Sequence, residues 1–182
     1  MAVSISAMYL LCYFVDCAAI APVQQLFFPG LGSSVSLLFL PHGVRVLAMS
    51  LLGRQAVPGL IAAEFTSSYL FGGLTDPHTV LLAAVTGGAM VWITFEGLRK
   101  LGIDAFYLHA ANKPPPFQTL LLAAIATSVV NAFFLASILD GAQAQAHVTL
   151  VIAALFTGNV TGFLAVIITA KSLLTLLTGK PD

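Results

Sequence analysis

The sequence is short of charge and of polar runs. Charged residues make up 8% of its 182 residues, hydrophobic residues make up 59%, and the mean hydropathy is +1.00. A soluble domain carries about 25% charged residues, so this composition excludes an ordinary soluble domain. The seven basic residues balance the seven acidic ones. No basic run is present, and we therefore expect no nucleic-acid partner.

Cysteine is almost absent, and the familiar catalytic motifs are missing. Cys12 and Cys17 are the two cysteines. Five positions apart on one predicted helix, they point in different directions, so we expect neither a disulfide nor a metal site. The sequence contains no G-x-S-x-G, no H-E-x-x-H and no phosphate-binding loop. We therefore predict a protein that is not an enzyme, and its cofactors stay unknown.

What the chain does contain is a series of six apolar stretches. Each is about as long as the ~20 residues that a helix needs to cross ~30 Å of hydrocarbon. The sequence predicts an all-α, polytopic membrane helix bundle of about six transmembrane helices, forming a single domain over residues 1–182. The predicted helices cover residues 3–21, 34–52, 56–74, 79–98, 117–139 and 148–177.

The basic residues predict the orientation of this bundle. Arg54 follows the second stretch, and Arg99, Lys100 and Lys113 follow the fourth. The joints after the first, third and fifth stretches contain no Lys or Arg. Cationic loops stay on the cytoplasmic side of a membrane. We therefore expect both termini to be cytoplasmic.

Proline and glycine mark the irregular points of the chain. Residues 22–32 are too rich in Pro and Gly for a regular helix, and could form an interfacial segment or a re-entrant lid. The run from Pro41 to Gly43 predicts a kink in the second helix, which could serve packing or line a binding cavity. Gly53 to Gln55 predicts a tight hairpin, and Pro58 falls in the first turn of the third helix, where proline is tolerated.

Polar groups inside the predicted spans are the candidate ligand- or partner-binding residues. An ionised side chain at mid-membrane costs at least ~2.5–3.5 kcal/mol on insertion scales, so each needs a partner or a function. From their depths we expect Arg45 to pair with Glu96, with Glu64 as the second choice. His42 is more typical of a hydrogen-bonded packing residue than of a metal or haem ligand, and Asp16 is expected to reach water. The candidates are His42, Arg45, Glu64, Glu96, Asn131 and Asn159.

Small residues line two of the predicted helices. The fourth helix contains Gly87 and Gly88, and the sixth contains Gly158 and Gly162 at G-x-x-x-G spacing. Small residues let helix backbones approach closely in lipid, where no hydrophobic effect drives association. We expect these positions to be packing faces.

Several motifs together resemble the membrane-associated sensor domains of bacterial signalling proteins, the first MASE class. In that family an apolar helix ends in Leu-Gly-Arg and a Pro-Gly opens the next. Two departures stand out: His42 replaces a small residue, and Asn159 replaces the Asp of a Gly-Asp-x-x-Gly motif. The motifs are Phe39-Leu40-Pro41-His42-Gly43, Leu51-Leu52-Gly53-Arg54, Pro58-Gly59, Glu96 with Leu98-Arg99-Lys100, and Thr157-Gly158-Asn159-Val160-Thr161-Gly162-Phe163-Leu164.

The resemblance implies a non-catalytic, sensor-like module of the bacterial cytoplasmic (inner) membrane. Such a module would bind a small ligand or a membrane protein partner, besides the lipid bilayer that surrounds it. Family members usually carry a cytoplasmic output domain, and none follows the last predicted helix in this sequence. A signal would therefore pass to a separate partner.

Two alternatives remain open at the level of sequence. The chain could be an accessory or structural subunit of a larger respiratory or photosynthetic membrane complex, which its short tails and apolar exterior also fit. It also has the size and helix count of substrate-binding subunits of energy-coupling vitamin transporters. The A-x-x-x-A docking face typical of their first helix is absent, because Ala7 is followed four positions on by Leu11.

Overall fold

The computed structural model describes residues 2–29, 36–71, 76–107, 115–139 and 148–178. Every regular element within these ranges is helical. We number the α-helices in chain order: α1 Ala2–Val15, α2 Ala21–Phe27, α3 Leu40–Leu52, α4 Val57–Leu70, α5 Pro77–Lys100, α6 Phe117–Leu139 and α7 Val148–Thr178.

Among the described residues, five helical runs are long and apolar enough to cross a membrane by length and composition. This finding confirms an all-α chain with several membrane-spanning candidates, which is the architecture that the apolar stretches predict. Predicted and observed bounds agree best for the fifth stretch, which coincides with α6 at both ends. The runs are Val3–Phe27, Leu40–Leu70, Pro77–Lys100, Phe117–Phe134 and Thr149–Thr178.

The first run extends further than the sequence predicts. A π-helical turn, Asp16–Ile20, joins α1 to α2, and the chain stays helical through Phe27. Pro22 lies in the first turn of α2, directly after the π-turn. The helix is wider at a π-turn, and a proline, which has no N–H, is tolerated in the first turn of a helix. The prediction that residues 22–27 are irregular is therefore wrong, whereas residues 30–32 lie outside the described ranges.

The second run is two helices that fold back on each other. Gly53 has a φ of +55°, a left-handed conformation that favours glycine, and a 3₁₀ turn, Gly53–Ala56, leads into α4. Along one straight helix, Arg45 and Glu64 would lie about 28 Å apart. Their side chains instead form an ion pair, so the chain reverses here. The predicted hairpin is confirmed, as is Pro58 in the first turn of α4.

The start of α3 differs from the prediction. A helix over residues 34–52 with a kink at Pro41 is expected from the sequence, but α3 begins at Leu40 and Pro41 lies in its first turn. Residues 36–39 carry no regular structure. A proline in the first turn breaks no hydrogen bond, because that N–H has no acceptor within the helix. The proline therefore starts this helix and does not kink it.

Residues 36–39 lie along the small-residue face of α7. A Cβ added to Gly158 would lie 1.8 Å from the carbonyl oxygen of Ser36, and one added to Gly162 would lie 2.0 Å from that of Phe39. The contacts advance together along both segments, so α7 runs in the same direction as α3. Gly158 and Gly162 thus form a packing face, as predicted, but against non-helical backbone.

Helix α5 packs on α4 and is capped at its start. A Cβ on Gly88 would meet the backbone nitrogen of Ile61 at 2.9 Å, so this predicted packing face is confirmed too. Asp76 caps α5 by accepting hydrogen bonds from the backbone N–H of Thr79 at 2.9 Å and from its hydroxyl at 2.6 Å. These hydrogen bonds stabilise the carboxylate and lower the pKa of Asp76 below its usual range.

Candidate functional site

Arg45 lies at the junction of four helices and is 1% exposed. From α3, its Nη2 forms an ion pair with the Glu64 carboxylate on α4 and donates to the Tyr9 hydroxyl on α1 at 2.7 Å. Its Nη1 donates to Oδ1 of Asn131 on α6 at 3.3 Å. The Tyr9 hydroxyl in turn donates to Glu64. One buried cation therefore connects helices that are distant in sequence.

The hairpin and one glycine create this cluster, which we call the Arg45 cluster: Tyr9, Arg45, Glu64 and Asn131. Arg45 lies eight residues before Gly53, and Glu64 lies eight residues after Ala56, so the reversal brings them to the same depth. Gly87 of α5 leaves room for the pair, because a Cβ there would lie 3.1 Å from Glu64 Cδ and 3.2 Å from Arg45 Nη2.

The predicted Arg45–Glu96 ion pair is wrong, and the second choice, Glu64, is the partner. Glu96 pairs with Arg99, one turn along α5, with Nη2 and Oε2 at 2.6 Å. The residue of α5 that faces Arg45 is Gly87. Glu96 lies nine residues further along, which is about 13.5 Å of helix. A comparison of depth alone could not resolve that offset.

His42 lies on α3, one turn before Arg45, and is fully buried. Its Nε2 lies 3.1 Å from the Ser128 hydroxyl and 3.4 Å from the Ala124 carbonyl oxygen. Because Ser128 donates to Ala124 at 2.7 Å, it can accept from a protonated Nε2. That tautomer leaves Nδ1 as an acceptor, and Nδ1 has no hydrogen-bond partner within the described ranges.

Two further polar atoms are buried without a hydrogen-bond partner across the residues described. They are Arg45 Nε and Asn159 Nδ2. A buried polar group left unpaired costs about 1–3 kcal/mol, so such groups call for an explanation. Of the predicted site residues, the structure thus joins Arg45, Glu64 and Asn131, places His42 beside them, buries Asn159 in α7, and separates Glu96.

A second polar cluster, which the sequence does not predict, surrounds residues 36–39. Ser36 Oγ donates to Asp16 Oδ1 at 2.7 Å, and the backbone N–H of Leu37 donates to Gln24 Oε1 at 2.6 Å. The Thr161 hydroxyl donates to the Leu37 carbonyl at 2.5 Å. Non-helical backbone inside a membrane protein requires such partners.

The expectation that Asp16 reaches water is wrong, because this residue is 5% exposed. Its position near the end of a predicted span did not indicate that the segment containing Ser36 packs on it. Cys12 and Cys17 are free thiols. Within the described part of the chain, no three His, Cys, Asp or Glu side chains lie close enough together to hold a metal ion.

No protein-family model, curated protein or solved structure matches the chain.

Proposed function

We propose that the chain is a non-catalytic, sensor-like module of a membrane that binds a small ligand or a membrane protein partner. The observation that carries this proposal is Arg45, a fully buried cation shared by four helices. Ionisable residues inside membrane helices are rare and usually mark functional sites. We propose the Arg45 cluster, together with His42, as the part that a ligand or partner rearranges.

The cluster is suited to connecting helix positions to binding. A ligand changes a conformational equilibrium only if it binds two arrangements unequally. Moving α1, α4 or α6 relative to α3 would alter a bond to Arg45, and breaking a buried ion pair costs about 3–5 kcal/mol. A bound group that offers Arg45 Nε or His42 Nδ1 a hydrogen bond would offset part of that cost.

We propose six membrane crossings with both termini on one side. The reversal at Gly53 divides the second helical run into two crossings, α3 with the non-helical residues 36–39 before it and α4 with the 3₁₀ turn before it. Ser6 of α1 donates to the carbonyl of Gly59 at 2.8 Å, which places the N-terminal end of α1 beside the α3–α4 turn. Because α7 runs in the same direction as α3, its C-terminal end points the same way. Arg54 in that turn and Arg99 at the end of α5 favour the cytoplasmic side.

The motifs that resemble the bacterial sensor family support this proposal by their positions. The segment from Pro41 to Gly43 packs on α7 opposite the glycine-bracketed segment, because a Cβ on Gly43 would lie 2.9 Å from the Gly162 carbonyl oxygen. Two of the motifs therefore meet at one interface beside His42. If the resemblance holds, the membrane is a bacterial inner membrane.

An accessory subunit of a larger membrane complex is the second candidate, and α7 favours it. This helix spans 31 residues, about 46 Å, against ~30 Å of hydrocarbon. Its last two leucines, Leu176 and Leu177, are 80% and 84% exposed. A neighbouring subunit could cover this apolar end.

Copurification from native membranes in mild detergent, followed by mass spectrometry, tests the proposal. Tagged wild-type chain is compared with His42→Ala and Asn159→Ala, and with Gly97→Ala as the control, since a Cβ on Gly97 meets nothing within 4 Å. We expect a partner or retained small molecule in the wild type and the control, and a reduced amount in the two variants, with unchanged membrane insertion. Equal recovery from all four chains would reject this site and leave the accessory-subunit reading.

A further inference from the structure

A cleft of about 360 Å³ opens at the end of the bundle where α3 turns into α4 and α5 ends. Arg54, Gln55, Glu96 and Arg99 are its polar lining residues, and Leu52, Gly53 and Phe106 complete its wall. It is separate from the Arg45 cluster. Its volume lies within the range of about 300–1,000 Å³ that small-molecule sites occupy.

The wall of this cleft is built by buried contacts. Phe106 is 2% exposed, and its ring lies 5.3 Å from that of Phe95. The segment that carries Phe106 is anchored to α3 by two hydrogen bonds. Ser50 Oγ donates to the Ala105 carbonyl at 2.6 Å, and the Tyr107 N–H donates to the Ser50 carbonyl at 2.8 Å. The Phe106 wall of the cleft is therefore anchored to α3 and packed on α5.

The charged side chains that line the cleft carry a net positive charge. Arg54 is exposed, and its side chain forms neither an ion pair nor a hydrogen bond within the described residues. Arg99 uses Nε and Nη2 on one oxygen of Glu96, at 3.0 and 2.6 Å, which leaves its Nη1 donors uncommitted to that carboxylate. The two side chains are 44% and 24% exposed, and an exposed pair of this spacing contributes only about 0.3–0.5 kcal/mol. Arg99 can therefore share its guanidinium with a second anion.

The place of the cleft determines which anions can reach it. It lies at the ends of membrane-spanning helices, where lipid headgroups sit, and arginine donors fit phosphate oxygens in a forked geometry. Basic pockets between transmembrane helices are sites for anionic headgroups. Glu96 is engaged by Arg99, so the cleft offers little to the cation of a zwitterionic headgroup.

We propose that this cleft binds a phosphate group, that of an anionic phospholipid or free inorganic phosphate, between Arg54 and Arg99. Glu96 competes with the phosphate for Arg99 and so limits its affinity. Neither the ligand class nor these three residues enter the function proposed for the Arg45 cluster.

Native mass spectrometry of the purified chain tests this site, with titrations of phosphatidylglycerol, phosphatidylcholine with the same acyl chains, and sodium phosphate. We expect one phosphatidylglycerol per chain, bound in preference to phosphatidylcholine. Arg54→Gln and Arg99→Gln should each weaken binding about fivefold, which corresponds to the ~1 kcal/mol expected for one cation at an anionic surface. Lys100→Gln is the matched control, because it removes one charge beside Arg99 without lining the cleft.

Glu96→Gln distinguishes the proposed site from a folding defect. This variant should bind phosphatidylglycerol more tightly, whereas a folding defect would weaken binding. Displacement of phosphatidylglycerol by sodium phosphate would assign recognition to the phosphate itself, and its failure to displace would assign the site to the whole lipid. Three results would overturn the proposal: equal retention of the two lipids in the absence of phosphate binding, equal weakening by Lys100→Gln and Arg54→Gln, or unchanged affinity in Glu96→Gln.

Discussion

Removing the charge of Glu64 should destabilise the bundle more than removing that of Arg45. In Glu64→Gln, Arg45 loses its counter-charge and keeps only neutral acceptors, namely the Tyr9 hydroxyl, the Asn131 oxygen at 3.3 Å and the amide oxygen of the new glutamine, and an arginine cannot lose its proton. In Arg45→Met, the remaining carboxyl can take up a proton, and its side chain is 14% exposed. The two single variants should therefore differ, although they break the same ion pair.

The magnitude follows from the burial of the pair. Loss of one partner from a buried ion pair costs about 3–5 kcal/mol, and we expect Glu64→Gln to fall in this range. Arg45→Met should cost about 2 kcal/mol less, because neutralising the carboxyl avoids a buried charge. The double variant Arg45→Met/Glu64→Gln should be more stable than Glu64→Gln alone.

Equilibrium unfolding in mixed micelles of a mild detergent and sodium dodecyl sulfate, followed by circular dichroism, measures these differences. The half-exposed Glu96–Arg99 pair supplies a matched control cycle, in which we expect a coupling energy of at most about 0.5 kcal/mol. Additive effects of Arg45→Met and Glu64→Gln would refute the reasoning. A coupling as large between Arg45 and Glu96 would do the same.

Further predictions concern single positions, all checked in the same unfolding assay. Gly162→Ala should cost about 1–3 kcal/mol or more, because its Cβ would lie 2.0 Å from a backbone carbonyl oxygen. Gly97→Ala, with open space around it, should gain up to about 1 kcal/mol. The reverse order of stability would exclude the packing of residues 36–39 on α7. Pro41→Ala should change stability by less than about 1 kcal/mol, because this proline starts α3, whereas a gain in stability near 3 kcal/mol together with a gain in helix content would indicate that Pro41 kinks a longer helix. Ser128→Ala should cost about 1–3 kcal/mol because it removes a hydrogen bond from buried His42, and no loss would show that the imidazole has another partner.

Local signals in the sequence were sufficient for the helices and turns whose causes are local. The fifth stretch contains no charged residue and begins after consecutive prolines, so both ends of α6 were predictable. The turn at Gly53 follows from a glycine between two apolar runs. Gly158 and Gly162 marked a packing face.

Features that depend on long-range contacts were not predictable. The helix expected to start at residue 34 starts at Leu40, because residues 36–39 obtain their hydrogen bonds from α2 and α7. The partner of Arg45 depends on which residue of α5 faces it, and Gly87 decides that by leaving space for Glu64. The burial of Asp16 likewise requires Ser36, which comes from a different segment. The sequence indicated depth too coarsely to distinguish Glu96 from Gly87, and it did not indicate which segments pack against each other.

Labelling of single cysteines in a variant that lacks both native cysteines tests the central claim most directly. A membrane-impermeant maleimide is applied to intact and to inverted vesicles that carry Ser4→Cys, Gln55→Cys, Asp76→Cys or Thr178→Cys. Six crossings predict that positions 4, 55 and 178 react from one side, the cytoplasmic one, and position 76 from the other. Reaction of positions 4 and 178 from opposite sides, with position 55 unreactive, would mean five crossings and would contradict the reversal at Gly53 on which the Arg45 cluster depends.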